Sequence, residues 1–252
     1  MDLGLAARTY IVTGGSSGLG RATVDALVAD GANVVVSGRH EDTVRQAVTE
    51  LGAEQVSGVV ADNADPATPQ RLVAEARNRF GRLDGALISV GGPPTGSVLD
   101  TSDEDWTRAY ESVFLGAVRL GREICAALGE GGALAFVLSS SVKAPIGGLA
   151  ISNGLRPGLA MVAKTLADEA GPRGVRVNGL LPGRVETDRV RFLDGQSEDP
   201  EAARQANAAA IPLRRYGQPV EFGRAAAFLL SPAASFISGV MLPVDGGMLR
   251  SL

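Results

Sequence analysis

Ser152 and Arg156 stand four residues apart in "SNGLRPG", after the apolar run "ALAFVLSSS" and the loop "VKAPIGGLAI". On a helix that spacing puts a hydroxyl and a guanidinium on one face. The pair is better suited to binding and orienting than to moving a proton. A serine hydroxyl is a weak acid that needs an adjacent base, and an arginine keeps its proton. That base is not a histidine beside the pair, because His40 is the only histidine in the 252 residues. A Ser/His/Asp triad is thereby excluded, and no metal site is expected, since a histidine-based cluster lacks ligands. Pro157 adds a complication, because a proline beyond the first helical turn lacks a needed N–H and clashes with the preceding turn. The first helical position suits it better. The helix is therefore expected to start near Gly154 to Arg156 with Asn153 as its cap, or to be kinked, and the facing of Ser152 and Arg156 is not assured.

A second chemical feature is the turn "TGGSSGLG", residues 13 to 20, between an apolar strand pattern and a helical one. Gly14, Gly18 and Gly20 allow a tight turn and close backbone approach. Ser16, Ser17 and Leu19 share that turn, and the free N–H groups at the helix start would face a diphosphate. Strand, turn, helix and second strand follow in the order a dinucleotide site requires. The second strand ends in "SGRH", without the acidic residue that an NAD site uses for the ribose hydroxyls. Arg39 instead offers a fork that suits a 2′-phosphate, which favours NADP(H) over NAD(H). The alternative for Arg39 is a solvated surface side chain, and His40 beside it is expected to be exposed.

These groups need a scaffold. Strand patterns fall at 9–13, 33–37, 56–60, 85–89, 133–139, 175–181 and 239–244, with helical patterns near 18–30, 41–51, 67–80, 103–128, 155–170 and 219–230. This alternation predicts an α/β fold, a Rossmann-type doubly wound parallel sheet of about seven strands with helices on both faces. Residues 1–252 read as a single NAD(P)-binding domain. The polar, Ala-rich stretch 186–212 reads as either a substrate lid within it or an ordinary surface helix pair. The net charge of −4 without a basic cluster argues against nucleic acid as partner. Lone Cys125 cannot form an internal disulfide and reads as a core helix position. No charged-then-apolar segment precedes Tyr10, and no apolar run approaches the roughly 20 residues of a membrane span. The expectation is a soluble, cytoplasmic protein with a small-molecule substrate.

The order of motifs resembles the short-chain dehydrogenase/reductase family, in particular proteins labelled 3-oxoacyl-carrier-protein reductases. The likeness runs through "TGGSSGLG", "ADNADP" (61–66), "LLPGRVETD" (180–188) and "FLLSPAASFISGVMLPVDGG" (228–247). It implies that Asp62 and Asn63 face the adenine and that Pro182 and Gly183 lie over the nicotinamide. Val185 and Thr187 would contact the carboxamide and diphosphate, and Gly91 belongs to a loop altered to "SVGG" (89–92). The family's Asn, Ser, Tyr and Lys would fall on Val113, Ser139, Ser152 and Arg156. Ser139 stands thirteen residues before Ser152, and Ser140 and Ser141 leave that register open by one or two.

Ser152 would be a shorter and far weaker acid than the family's tyrosine. Arg156 would keep the role of holding the nicotinamide ribose. Tyr110, one turn before Val113, is the tyrosine candidate for a replacement donor. A water delivered by Ser139, or a substrate needing little acid assistance, is the other route. The resemblance implies an NADP(H)-dependent oxidoreductase acting on a carbonyl, imine or conjugated substrate, assembled as a homotetramer or homodimer. With three of four site positions changed, a non-catalytic NADP(H)-binding protein (a sensor or structural subunit) and a redox-neutral use of the pocket also stay open.

Overall fold

The structure is a computed structural model and describes residues 2–251. The apolar runs form β1 (Thr9–Thr13), β2 (Asn33–Gly38), β3 (Val56–Val60), β4 (Gly85–Ile88), β5 (Ala133–Val137), β6 (Arg176–Pro182) and β7 (Met241–Val244). The connecting helices are α1 (Gly18–Ala29), α2 (Glu41–Leu51), α3 (Thr68–Phe80), α4 (Asp103–Ala109), α5 (Gly116–Ala127), α6 (Ala150–Ala170), α7 (Asp188–Asp194), α8 (Pro200–Ala210) and α9 (Pro219–Leu230).

All seven strands pair in parallel in the order β3-β2-β1-β4-β5-β6-β7. Successive side chains alternate between faces. Tyr10 and Val12 pack with α1 and α9, whereas Ile11 packs with α3, α5 and α6. Burial on both faces is why these strands are nearly continuous apolar runs. The strand order reverses between β1 and β4, and in a doubly wound sheet the crevice opens there, at the carboxyl ends of the strands.

The pattern at 103–128 predicted one helix, but it is interrupted by a π-helical segment, Tyr110–Leu115. The Gly116 N–H bonds the Glu111 carbonyl, five residues back. A Cβ on Gly116 would lie 2.4 Å from the Asn63 carbonyl oxygen, so the wide turn presses backbone against the loop after β3. Val113 is thereby buried, while Tyr110 is 45% exposed and stacks on Phe114 with ring centroids 5.5 Å apart. Tyr110 points away from Val113's buried side, which corrects its reading as a proton-donor candidate.

Helix α6 begins at Ala150, and Pro157 sits inside it. This corrects the late start expected at Gly154 to Arg156. Asn153 is not a cap: its amide donates to the Ile146 carbonyl (2.8 Å), and its side-chain oxygen accepts from the Ile146 N–H (3.0 Å). These bonds tie the preceding loop to the helix. Buried Ile151, Leu159 and Ala163 supply packing that outweighs the backbone bond Pro157 cannot make.

The stretch 186–212 folds as α7 and α8. Buried Asp194 fastens it, accepting from Arg184 (2.6 Å), the Tyr216 hydroxyl (3.0 and 3.1 Å) and Asn207 (3.3 Å). Among the described residues no helix is long and apolar enough to cross a membrane, and no His/Cys/Asp/Glu group could hold a metal ion.

Candidate active site

The glycine turn joins β1 to α1 at the strand-order reversal. Thr13 donates its hydroxyl to the Ser89 carbonyl and accepts from the Ser89 N–H, both at 2.8 Å, locking the ends of β1 and β4 together. Gly14 (φ +59°) and Gly18 (φ +55°) take backbone conformations that L side chains rarely adopt. A Cβ on Gly20 would fall 2.1 Å from the Gly14 carbonyl oxygen. Ser17 precedes α1 without a side-chain hydrogen bond to its first turn. The first N–H groups of α1 therefore have no side-chain acceptor, and with the helix dipole they suit an anionic diphosphate.

From this turn a groove of about 420 Å³ runs along the carboxyl edge of the sheet. Gly14, Ser16, Ser17, Asp62, Asn63 and Gly91 line it, with exposed Arg39 at one end. Arg39 has no acidic partner within salt-bridge distance among the described residues. His40, exposed as expected, lies beside it. Leu19 and Gly20 form the first turn of α1 behind the groove. Gly18 faces Thr187, whose Cγ2 would be 3.7 Å from a Cβ placed there. Pro182 ends β6, the Gly183 N–H bonds the Val244 carbonyl (3.0 Å), and Val185 is buried. These cradle features fit a dinucleotide.

Ser152 and Arg156 do not line this groove: they are buried behind it, 6% and 5% exposed on one face of α6. The hydroxyl partner of Ser152 is Ser141, with Oγ atoms 3.1 Å apart. Ser139 is one step removed. Its Oγ accepts from the Ser141 N–H (3.1 Å), capping the short 3₁₀ turn Ser140–Val142. Arg156 donates to the carbonyls of Val137 (2.8 Å), Gly91 (3.3 Å) and Val90 (3.5 Å), bridging β5 to the loop after β4. Its Nε has no partner and is buried. Burial first, and nearby Arg189 second, together lower the Arg156 pKa to about 10. Val113 packs in the core at 4% exposure and also borders the groove.

The sequence reading preferred Ser139 and left Ser140 and Ser141 open, and the 3₁₀ turn decides that Ser141 reaches α6; Arg189 escaped that reading altogether. Arg189 sits in the first turn of α7, and its guanidinium donates to the Pro93 carbonyl (2.6 Å), crossing to the "GGPP" loop. A Cβ on Gly92 would come within 2.6 Å of the Arg189 Nε, so a side chain there would push the guanidinium aside.

The chain matches the family model described as enoyl-(acyl carrier protein) reductase over residues 14–249. It is 32% identical over 240 residues to a 3-oxoacyl-(acyl-carrier-protein) reductase of Salmonella typhimurium, covering 94% of this chain and 96% of the relative. Among solved structures it is similar to L-sorbose reductase from Gluconobacter frateurii complexed with NADPH and L-sorbose. The TM-score is 0.93 at 29% identity, covering the whole of both chains. It is also similar to a short-chain oxidoreductase of Pseudomonas aeruginosa PAO1 described as containing an atypical catalytic center, with TM-score 0.90 and 29% identity over 99% of this chain and 100% of that one. With this sheet order, this glycine turn and these matches along nearly its full length, the chain belongs to the short-chain dehydrogenase/reductase family of oxidoreductases.

Proposed function

We propose that the protein is an NADP(H)-dependent oxidoreductase with a rebuilt acid/base site, acting on a carbonyl, imine or conjugated substrate. The observation that carries this reading is the continuous groove with an uncapped helix start at its centre, Arg39 at one end and the Gly91–Arg156 contact at the other. When bound, the nicotinamide supplies or accepts the hydride. Arg39 pairs with the 2′-phosphate, Asp62 and Asn63 face the adenine, and Thr187 closes over the glycine turn. Arg156 fixes the loop carrying Gly91 and holds positive charge beside the nicotinamide ribose.

The proton side of the reaction is where the site departs from a phenol-based one. Ser152 and Ser141 share a hydrogen bond with no base beside them, and they polarise more readily than they ionise. The substrate therefore needs little acid assistance, as an iminium or an activated enone does. A solved neighbour described as having an atypical catalytic center supports the view that such rebuilt sites occur on this scaffold. We also propose a homotetramer or homodimer, because Met161 on α6 and Phe236 before β7 are exposed apolar side chains. A light-scattering mass equal to one chain would overturn that assembly.

The test is to titrate NADPH and NADH, then assay ketone, imine and enone panels with the native protein and with the Ser152→Tyr, Arg156→Lys double variant. Tighter NADPH binding, native turnover on imines or enones, and ketone turnover confined to the double variant are expected. NADPH binding with background oxidation on every panel would instead make the protein a nucleotide-binding one without turnover.

A further inference from the structure

Arg189 is the side chain that joins the 186–212 segment to the rim of the groove. It leaves α7 two residues after Thr187, which stands over Gly18, and ends on Pro93 with its guanidinium against Gly92. The segment thus approaches both stretches that line the groove, the glycine turn through Thr187 and the Gly91–Pro94 loop through Arg189. A guanidinium carries five N–H donors, and the bond to Pro93 uses one nitrogen. The guanidinium also lies 5.6 Å from the centre of the Phe192 ring.

The charge at this place is unbalanced. Among the described residues neither Arg189 nor Arg156 has a carboxylate within salt-bridge distance, although ten other arginines do. Arg156 is fully enclosed and answered only by neutral carbonyls, and burial depresses both guanidinia. A half-buried cation at the rim of the groove, with a fully buried one close enough to repel it, suits an anion with more than one charge and several acceptor oxygens. A diphosphate has that charge and geometry, and the α1 N-terminus lies on the same path.

We propose that Arg189 is a strap over the nucleotide, a guanidinium that spans from α7 to the Gly92–Pro93 loop and binds the diphosphate from the side opposite the glycine turn. This rests on the nucleotide reading of the groove, and the test separates the two. Arg189→Met and Arg189→Lys are compared with the native chain by calorimetric titration with NADPH and with adenosine 2′-monophosphate, which carries the Arg39 contact but no diphosphate.

Loss of a charge-assisted contact predicts that Arg189→Met weakens NADPH roughly 10- to 100-fold and leaves adenosine 2′-monophosphate unchanged. Arg189→Lys, with charge but no fork, falls between. Equal NADPH affinity in native and Arg189→Met chains overturns the strap while leaving the nucleotide site standing, and so does an equal loss for both ligands. A native chain that binds neither ligand overturns the nucleotide site and the strap together.

Discussion

The Oγ atoms of Ser141 and Ser152 lie 3.1 Å apart in a buried contact between the loop after β5 and α6. The Ser141 hydroxyl also lies 3.4 Å from the Ser152 carbonyl, so this pair is knitted into the structure. If Ser152 were the proton donor, Ser152→Ala would cost the roughly 10²- to 10⁴-fold typical of general acid catalysis. The expected result is smaller, a loss in kcat of less than about tenfold, with a drop of about 1–3 kcal/mol in unfolding free energy from orphaning Ser141. Steady-state kinetics and urea unfolding on the same preparation check both halves.

Arg156 joins three backbone carbonyls, one at the end of β5 and two in the loop after β4, and has no carboxylate within salt-bridge distance among the described residues. Arg156→Met removes the donor from the buried Val137 carbonyl and releases the exposed Gly91 loop. Charge-assisted bonds of this kind are worth about 1.5–3 kcal/mol each, so destabilisation of at least about 2 kcal/mol is expected. Arg156→Lys keeps a cation but cannot reach Val137 and Gly91 with one planar fork. It is expected to lose part of that stability and to loosen NADPH less than the methionine variant does. Denaturant midpoints and nucleotide titrations rank the three proteins.

The sheet was legible because strands buried on both faces are written as uninterrupted apolar runs, and "TGGSSGLG" carries its turn in its glycines. What the sequence concealed were tertiary decisions. The extra residue in the Tyr110–Leu115 segment turns Tyr110 outward, and periodicity assumes a constant 3.6. Pro157 argued for a late helix start, but the Asn153–Ile146 bonds and the buried face of α6 overruled that local preference. Spacing matched Ser139 to Ser152, while the 3₁₀ turn brings Ser141 to it. Arg189 was invisible as a site residue because its role depends on a glycine almost one hundred positions away.

Arg39 is exposed, borders the groove and has no acid beside it. If it pairs with a 2′-phosphate, Arg39→Ala weakens NADPH roughly 10- to 100-fold and changes NADH by less than about threefold. Arg39→Asp goes further and reverses the preference, because an acid repels the phosphate and accepts from ribose hydroxyls. Parallel titrations with both nucleotides read the ratio directly. An unchanged ratio in both variants would leave Arg39 as a solvated side chain.

Glu221 fastens α9 at its first turn. Its carboxylate takes both arms of Arg215 (2.6 and 2.8 Å) and the Gln218 N–H (2.7 Å), next to fully buried Phe222. The Arg215 bonds, then the Gln218 N–H, lower its pKa from 4.5 to about 2. A carboxyl whose folded value lies below its unfolded value stabilises the fold where it is ionised in both states, above 4.5. That contribution is lost as pH falls from 4.5 toward 2, since the unfolded chain takes up the proton first. Glu221→Gln should therefore melt at a lower temperature than the native protein at neutral pH, with the gap closing as pH falls through that window. The side chain is exposed, so added salt should narrow the gap as well. A deficit that stays constant across both titrations would mean that shape at the start of α9, and not charge, is what Glu221 supplies.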